Sequence, residues 1–207
     1  MKESIIRLVA DAARMLRRGS RGARFDATRY WEQRYAAGGT SGDGSYGLLA
    51  EFKADVVNGF VREHDVRSAI EFGCGDGNQL SLMRYPAYVG LDVSASAVER
   101  CINRFRDDRT KTFFIYDPEA FEDPLHMFRA DLALSLDVIY HIVADRMFER
   151  YMKHLCDSAS RYLIVYSTDV DKVESQHVRH RSFTNWMTAN RPEFHRERVI
   201  PNPYPGT

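Results

Sequence analysis

From residue 64 onward, short apolar runs take turns with segments whose apolar positions recur every three or four residues. The runs are "SAIEF" (68–72), "AYVGL" (87–91), "TFFIY" (112–116), "DLALSL" (131–136) and "RYLIVYS" (161–167). Helical patterns fall between them near 77–84, 95–106 and 144–157, with another before them at about 48–63. Strands alternating with helices predict a doubly wound α/β domain, a mostly parallel sheet with helices on both faces. After residue 167 the pattern weakens through "TDVDKVESQHVRHR" into a short helix, "SFTNWMTANR", and one last strand, "HRERVIPN". The sheet should therefore have six or seven strands.

Two segments precede this core. In "SIIRLVADAARMLRR" apolar residues stand at 5, 8, 9, 12, 13, 15 and 16 with arginines beside them, which predicts a basic amphipathic helix within residues 1–24. Such a helix either packs on the domain or makes weak contact with a membrane surface. Residues 25–63 read as a cap: an aromatic helical stretch, "FDATRYWEQRY", the loop "GGTSGDGSYG", and the first full helix. Residues 64–207 form the core of what is one domain overall.

Composition narrows the function. Lys+Arg and Asp+Glu both total 29, so no global charge favours a polyanion. Three cysteines, Cys74, Cys101 and Cys156, lack paired CxxC spacing, which argues against a disulfide scaffold or a zinc site and fits a reducing cytoplasm. No basic stacking platform suggests nucleic acid.

The chemistry gathers at strand ends. "EFGCGDG" places Gly73, Gly75 and Gly77 directly after a strand, where a tight turn lets backbone amides approach a ligand. Glu71 offers a carboxylate to an ammonium group. Asp92 closes the next strand in "GLDVS", nineteen residues beyond Gly73, the spacing at which an acidic side chain meets ribose hydroxyls. A dinucleotide fingerprint is disfavoured, because Asn78 stands where its third glycine belongs and none of the five lysines follows a tyrosine by four residues.

"IEFGCGDG", "VGLDVS", the acidic residue of "FIYDPEAF" and "LALSLDVIYHI" together resemble the four motifs of class I S-adenosylmethionine-dependent methyltransferases, in order and at similar spacing. The resemblance extends to small bacterial members that act on glycans or natural products. It implies S-adenosylmethionine as cofactor, with Gly73, Cys74, Gly75, Asp76 and Gly77 around its methionine part and Glu71 near the ammonium. Asp92 and Val93 then flank the ribose, Asp117 the adenine amine, and Asp137 the methionine end. Tyr46, just beyond the glycine-rich loop, is expected to touch the cofactor. The same resemblance leaves one strand of the usual seven unaccounted for, so that either the sheet has six or a second copy of the chain covers the edge.

Methyl transfer to a hydroxyl requires a proton acceptor, and His141, four residues past Asp137, is the candidate general base or else pocket wall. In "HVRHRSF", His177, Arg179 and His180 are candidates for an acceptor's phosphate or carboxylate, against the plainer reading of a solvated basic loop. The fourth strand lacks the Asn/Asp-Pro-Pro-aromatic motif of enzymes that methylate base amines, so a small-molecule hydroxyl is the expected acceptor. An NAD-binding reductase and a catalytically idle methyltransferase-like binding module are the competing readings.

Overall fold

The computed structural model describes residues 3–9 and 25–204. Its strands are β1 (Glu3–Val9), β2 (Ala69–Phe72), β3 (Tyr88–Asp92), β4 (Lys111–Ile115), β5 (Ala130–Leu136), β6 (Ala159–Ser167), the two-residue β7 (Lys172–Val173) and β8 (Arg179–His180), and β9 (Phe194–Pro201). The helices are α1 (Ala27–Ala36), α2 (Gly47–Glu63), α3 (Ala95–Arg104), α4 (Asp145–Asp157) and α5 (Phe183–Asn190). Seven strands form one sheet in the order β4-β3-β2-β5-β6-β1-β9, and every pairing in it is parallel.

The N-terminal segment departs from expectation. Glu3–Val9 is a strand rather than the start of an amphipathic helix, paired with β6 on one side (Ile5 opposite Leu163) and β9 on the other (Ile5 opposite Arg196). "IIRLV" is a short apolar run, which periodicity cannot assign to helix or strand, and its β-branched residues suit an interior parallel strand. The rest of the expected helix, residues 10–24, lies outside the described residues. This strand also answers the open count: the seventh place is filled from the same chain. The helix expected near 77–84 shortens to a single 3₁₀ turn, Gln79–Leu82.

One side of the sheet packs against α2 and α3 through Val57, Phe60, Val98 and Cys101. The other packs against α4 and α5 through Met152, Leu155, Phe183 and Met187. Each buried aliphatic or aromatic side chain contributes roughly 1.5–3 kcal/mol toward the entropy cost of folding. With both faces covered, the carboxyl ends of β2, β3, β4 and β5 are left open, and there the polar residues collect.

Candidate functional site

A cavity of about 400 Å³ lies at this edge, bounded by the cap on one side and the strand ends on the other. Glu71, Gly73, Cys74, Gly75, Asp92, Val93, Asp137 and His141 all line it. Residues nearly 70 apart in sequence are thus brought together.

The turn after β2 uses glycine for two reasons. Gly73, Gly75 and Gly77 have φ of +93°, +58° and +75°, a region that disfavours other residues. A Cβ on Gly73 would also strike Val138, and one on Gly75 would strike the Ser41 hydroxyl. Asp92 braces the turn: its Oδ2 accepts from Gly75 N (2.9 Å) and its Oδ1 from Ser94 N (2.9 Å). Burial pushes its pKa up to about 6, against the pull of those two amides. Glu71 is also buried and accepts a 2.6 Å bond from the Tyr88 hydroxyl, and burial raises it to about 7.

Asp137 has φ of +62°, an uncommon conformation for a residue with a side chain. Its carboxylate is held by the ammonium of Lys53, a fully buried residue of α2, and by the Tyr140 hydroxyl (2.9 Å). Lys53 escaped the sequence reading because a lysine in a helix ordinarily marks the solvent face.

The cap is tied to the strand ends by charged groups. Glu32 of α1 accepts from the hydroxyls of Ser94 (2.7 Å) and Ser96 (2.6 Å) and from Ser96 N (3.1 Å), at the first turn of α3. Arg100 donates to the carbonyls of Gly39 and Tyr35. Asp76 accepts from Ser41 N (2.9 Å) and from the Tyr46 hydroxyl (2.8 Å). Asp76 and Tyr46 therefore join the cap loop to the glycine turn, Gly77 lies against the end of α3 where a Cβ would strike Phe105, and none of the three lines the cavity.

His141 ends a 3₁₀ turn, Ile139–His141, beyond β5. Trp31 meets its ring edge-on with centroids 5.0 Å apart, and its Nδ1 lies 3.5 Å from the His177 carbonyl. Burial lowers its pKa to about 4, so the imidazole is neutral near pH 7.

Four expected positions fall elsewhere. Asp117 is exposed and accepts from Glu119 N (2.9 Å), while its neighbours Tyr116 and Pro118 line the cavity. His177 stacks on Tyr30 of the cap at 6.0 Å. His180 is buried between the Thr168 hydroxyl (2.6 Å) and Glu174 (3.1 Å). Arg179 pairs with Asp145 at 2.8 Å. Arg179 thus ties β8 to the start of α4, and His180 ties it to Thr168 and Glu174, instead of facing the cavity. Among the described residues there is no cluster that could hold a metal ion, and no helix is long and apolar enough to cross a membrane.

Residues 70–160 match a family model described as a methyltransferase domain. Among solved structures, the magnesium protoporphyrin IX methyltransferase of Synechocystis PCC 6803 with bound SAM is 17% identical, with TM-score 0.57 over 82% of this chain and 88% of that one. The N-methyltransferase NodS of Bradyrhizobium japonicum WM9, in complex with S-adenosyl-L-homocysteine, is 13% identical, with TM-score 0.52 over 65% of this chain and 68% of that one. The chain spans 64% of the methyltransferase domain of bacterial CtHen1, at 23% identity and TM-score 0.48 over 55% of this chain. No curated protein matches. The likenesses to the protoporphyrin methyltransferase and to NodS are of fold, the α/β fold that methyltransferases use.

Proposed function

We propose that this methyltransferase-fold domain binds S-adenosylmethionine and transfers its methyl group to a hydroxyl of a small molecule. The observation that carries the reading is the convergence on one cavity of a glycine turn, a buried carboxylate ending β3 and a second carboxylate ending β5. The donor set fits the cofactor: the turn leaves no room for Cβ atoms, Asp92 keeps lone pairs for two hydroxyls, and Glu71 suits an ammonium. When bound, the cofactor supplies an electrophilic methyl on a sulfonium. His141 takes the acceptor's proton, and Phe25 and Trp31 of the cap keep water out. Equilibrium titration with S-adenosylhomocysteine and with NAD tests the reading. Binding of the first alone is expected, and binding of NAD alone would overturn it.

The Glu71 pKa gives a second expected result. A carboxylate must be ionised to face an ammonium, so ligand binding displaces the proton that Glu71 holds below about pH 7. Affinity for S-adenosylhomocysteine should rise about twentyfold between pH 6 and pH 8, about tenfold through Glu71 and about twofold through Asp92. Glu71→Gln should bind more weakly and leave only the change, about twofold, that Asp92 contributes near its own pKa of about 6. A wild-type affinity that is flat over this range would show that Glu71 does not meet the charge.

The cap loop gives a third. Gly38, Gly42 and Gly47 all have positive φ and bracket a loop whose links to the core are hydrogen bonds. Opening breaks few apolar contacts, so the loop should open without ligand and close over it. Proteolysis within residues 38–47 should slow on adding S-adenosylhomocysteine; equal rates would mean that the cap is fixed.

A further inference from the structure

Helix α4 turns one face to the cavity, with Arg146, Met147, Arg150 and Tyr151 in the lining. Arg146 and Arg150 stand four apart, adjacent on the helix surface, where two like charges repel. Elsewhere on this side of the molecule arginines are matched: Arg179 and Arg181 share Asp145, and Arg191 holds Asp157 and Glu193. The cavity pair is not. Arg146 is exposed and has no hydrogen-bond or ion-pair partner among the described residues. Among the described residues Arg150 donates only to the Glu119 carbonyl oxygen, at 3.3 Å.

Carboxylates do occur in the lining near this end, Asp26 and Glu119, but neither pairs with these arginines. Asp26 caps α1 by accepting from Arg29 N (3.0 Å), and among the described residues no guanidinium bonds the carboxylate of Asp26 or Glu119. Between the arginines and His141 the wall is apolar, formed by Ile142, Val143 and Met147. The lining therefore runs from an imidazole, across an apolar stretch, to two guanidinium groups with unmet charge.

We infer that Arg146 and Arg150 bind an anionic group on the acceptor, a carboxylate or a phosphate monoester, and so select acidic acceptors over neutral ones. The inference rests on the methyl-transfer reading for the acceptor's role. The guanidinium fork matches the oxygens of either group, and such charge-assisted bonds outweigh neutral ones.

The test titrates protein saturated with S-adenosylhomocysteine with three probes: glucose, glucuronate and glucose 6-phosphate. At least one anion should bind at least about tenfold more tightly than glucose, and the stronger of the two names the group. The Arg146→Gln/Arg150→Gln protein should lose that preference while keeping its unfolding midpoint. If the double variant fails to fold, Arg146→Gln alone decides, since Arg146 bonds none of the described residues; it should lose at least about threefold for the preferred anion. Equal binding of all three probes, no binding of either anion, or an anion preference that survives the substitutions would overturn the inference. Failure of S-adenosylhomocysteine to bind would strike the methyl-transfer reading instead, and the same titrations on the unliganded protein would still report on the arginine pair.

Discussion

His141→Ala should leave cofactor affinity near wild type while turnover falls by about two to four decades, the range that a positioned general base supplies. Holding two reactants in line accounts for about 7–11 kcal/mol of a barrier and survives the substitution, so activity is reduced and not abolished. Wild-type turnover should also show an acidic limb near pH 4, well below ordinary histidine, because burial disfavours the imidazolium. The sign follows directly: the neutral ring is the active form, so activity is lost as pH falls through about 4, and the variant should lack that limb. Asp137 acts in the opposite sense, its charge favouring the imidazolium that forms as the proton arrives. Single-turnover rates from pH 4 to 8 check both points. Turnover within about threefold of wild type would make His141 a wall of the cavity. His180 could not replace it, since both of its ring nitrogens are engaged, which leaves exposed His177 or an acceptor that needs no base.

Asp92→Ala should weaken S-adenosylhomocysteine binding by about ten- to a hundredfold, through loss of charge-assisted bonds worth roughly 1.5–3 kcal/mol. The structure adds a second effect. Asp92 also satisfies the amides of Gly75 and Ser94, and a buried N–H left without a partner costs about 1–3 kcal/mol, so the glycine turn itself should loosen. Asp92→Asn, which keeps the volume and one acceptor, separates the two contributions. It should hold the unfolding midpoint closer to wild type than Asp92→Ala while still losing affinity. Calorimetry together with thermal unfolding reads both quantities, and undiminished affinity in folded Asp92→Ala would refute the ribose assignment.

Much of this arrangement was legible because strand ends are local features. An apolar run ending in glycines, or in a lone aspartate, marks its own position, and Glu71, Asp92 and Asp137 all lie where that pattern puts them. What escaped depends on pairing across the fold. Lys53 meets Asp137 from 84 residues away, and Glu32 meets Ser94 and Ser96 from more than 60, with no periodicity to announce either. Asp117 misled because an acidic residue in "YDP" fits a binding edge and an ordinary turn equally well, and the turn prevailed. Arg179 and His180 misled in the other direction: a basic cluster looked free for a ligand, but Asp145, Thr168 and Glu174 already occupy it. β1 was missed because charges every few residues beyond it completed a helical stripe that its own seven residues do not need.

The position of β1 also bears on how the chain is made. Glu3–Val9 is synthesised well ahead of both its neighbours, Ala159–Ser167 and Phe194–Pro201. At about 5–20 residues per second, translation needs on the order of 10–40 seconds to supply the second of them. Until β6 emerges the apolar strand has no slot in its own sheet, and until β9 emerges one of its edges stays unpaired, while β2, β3, β4 and β5 can already assemble. The earliest strand of this sheet thus waits for the two latest, and the waiting segment is where a chaperone, or another nascent chain, would find this protein most adhesive.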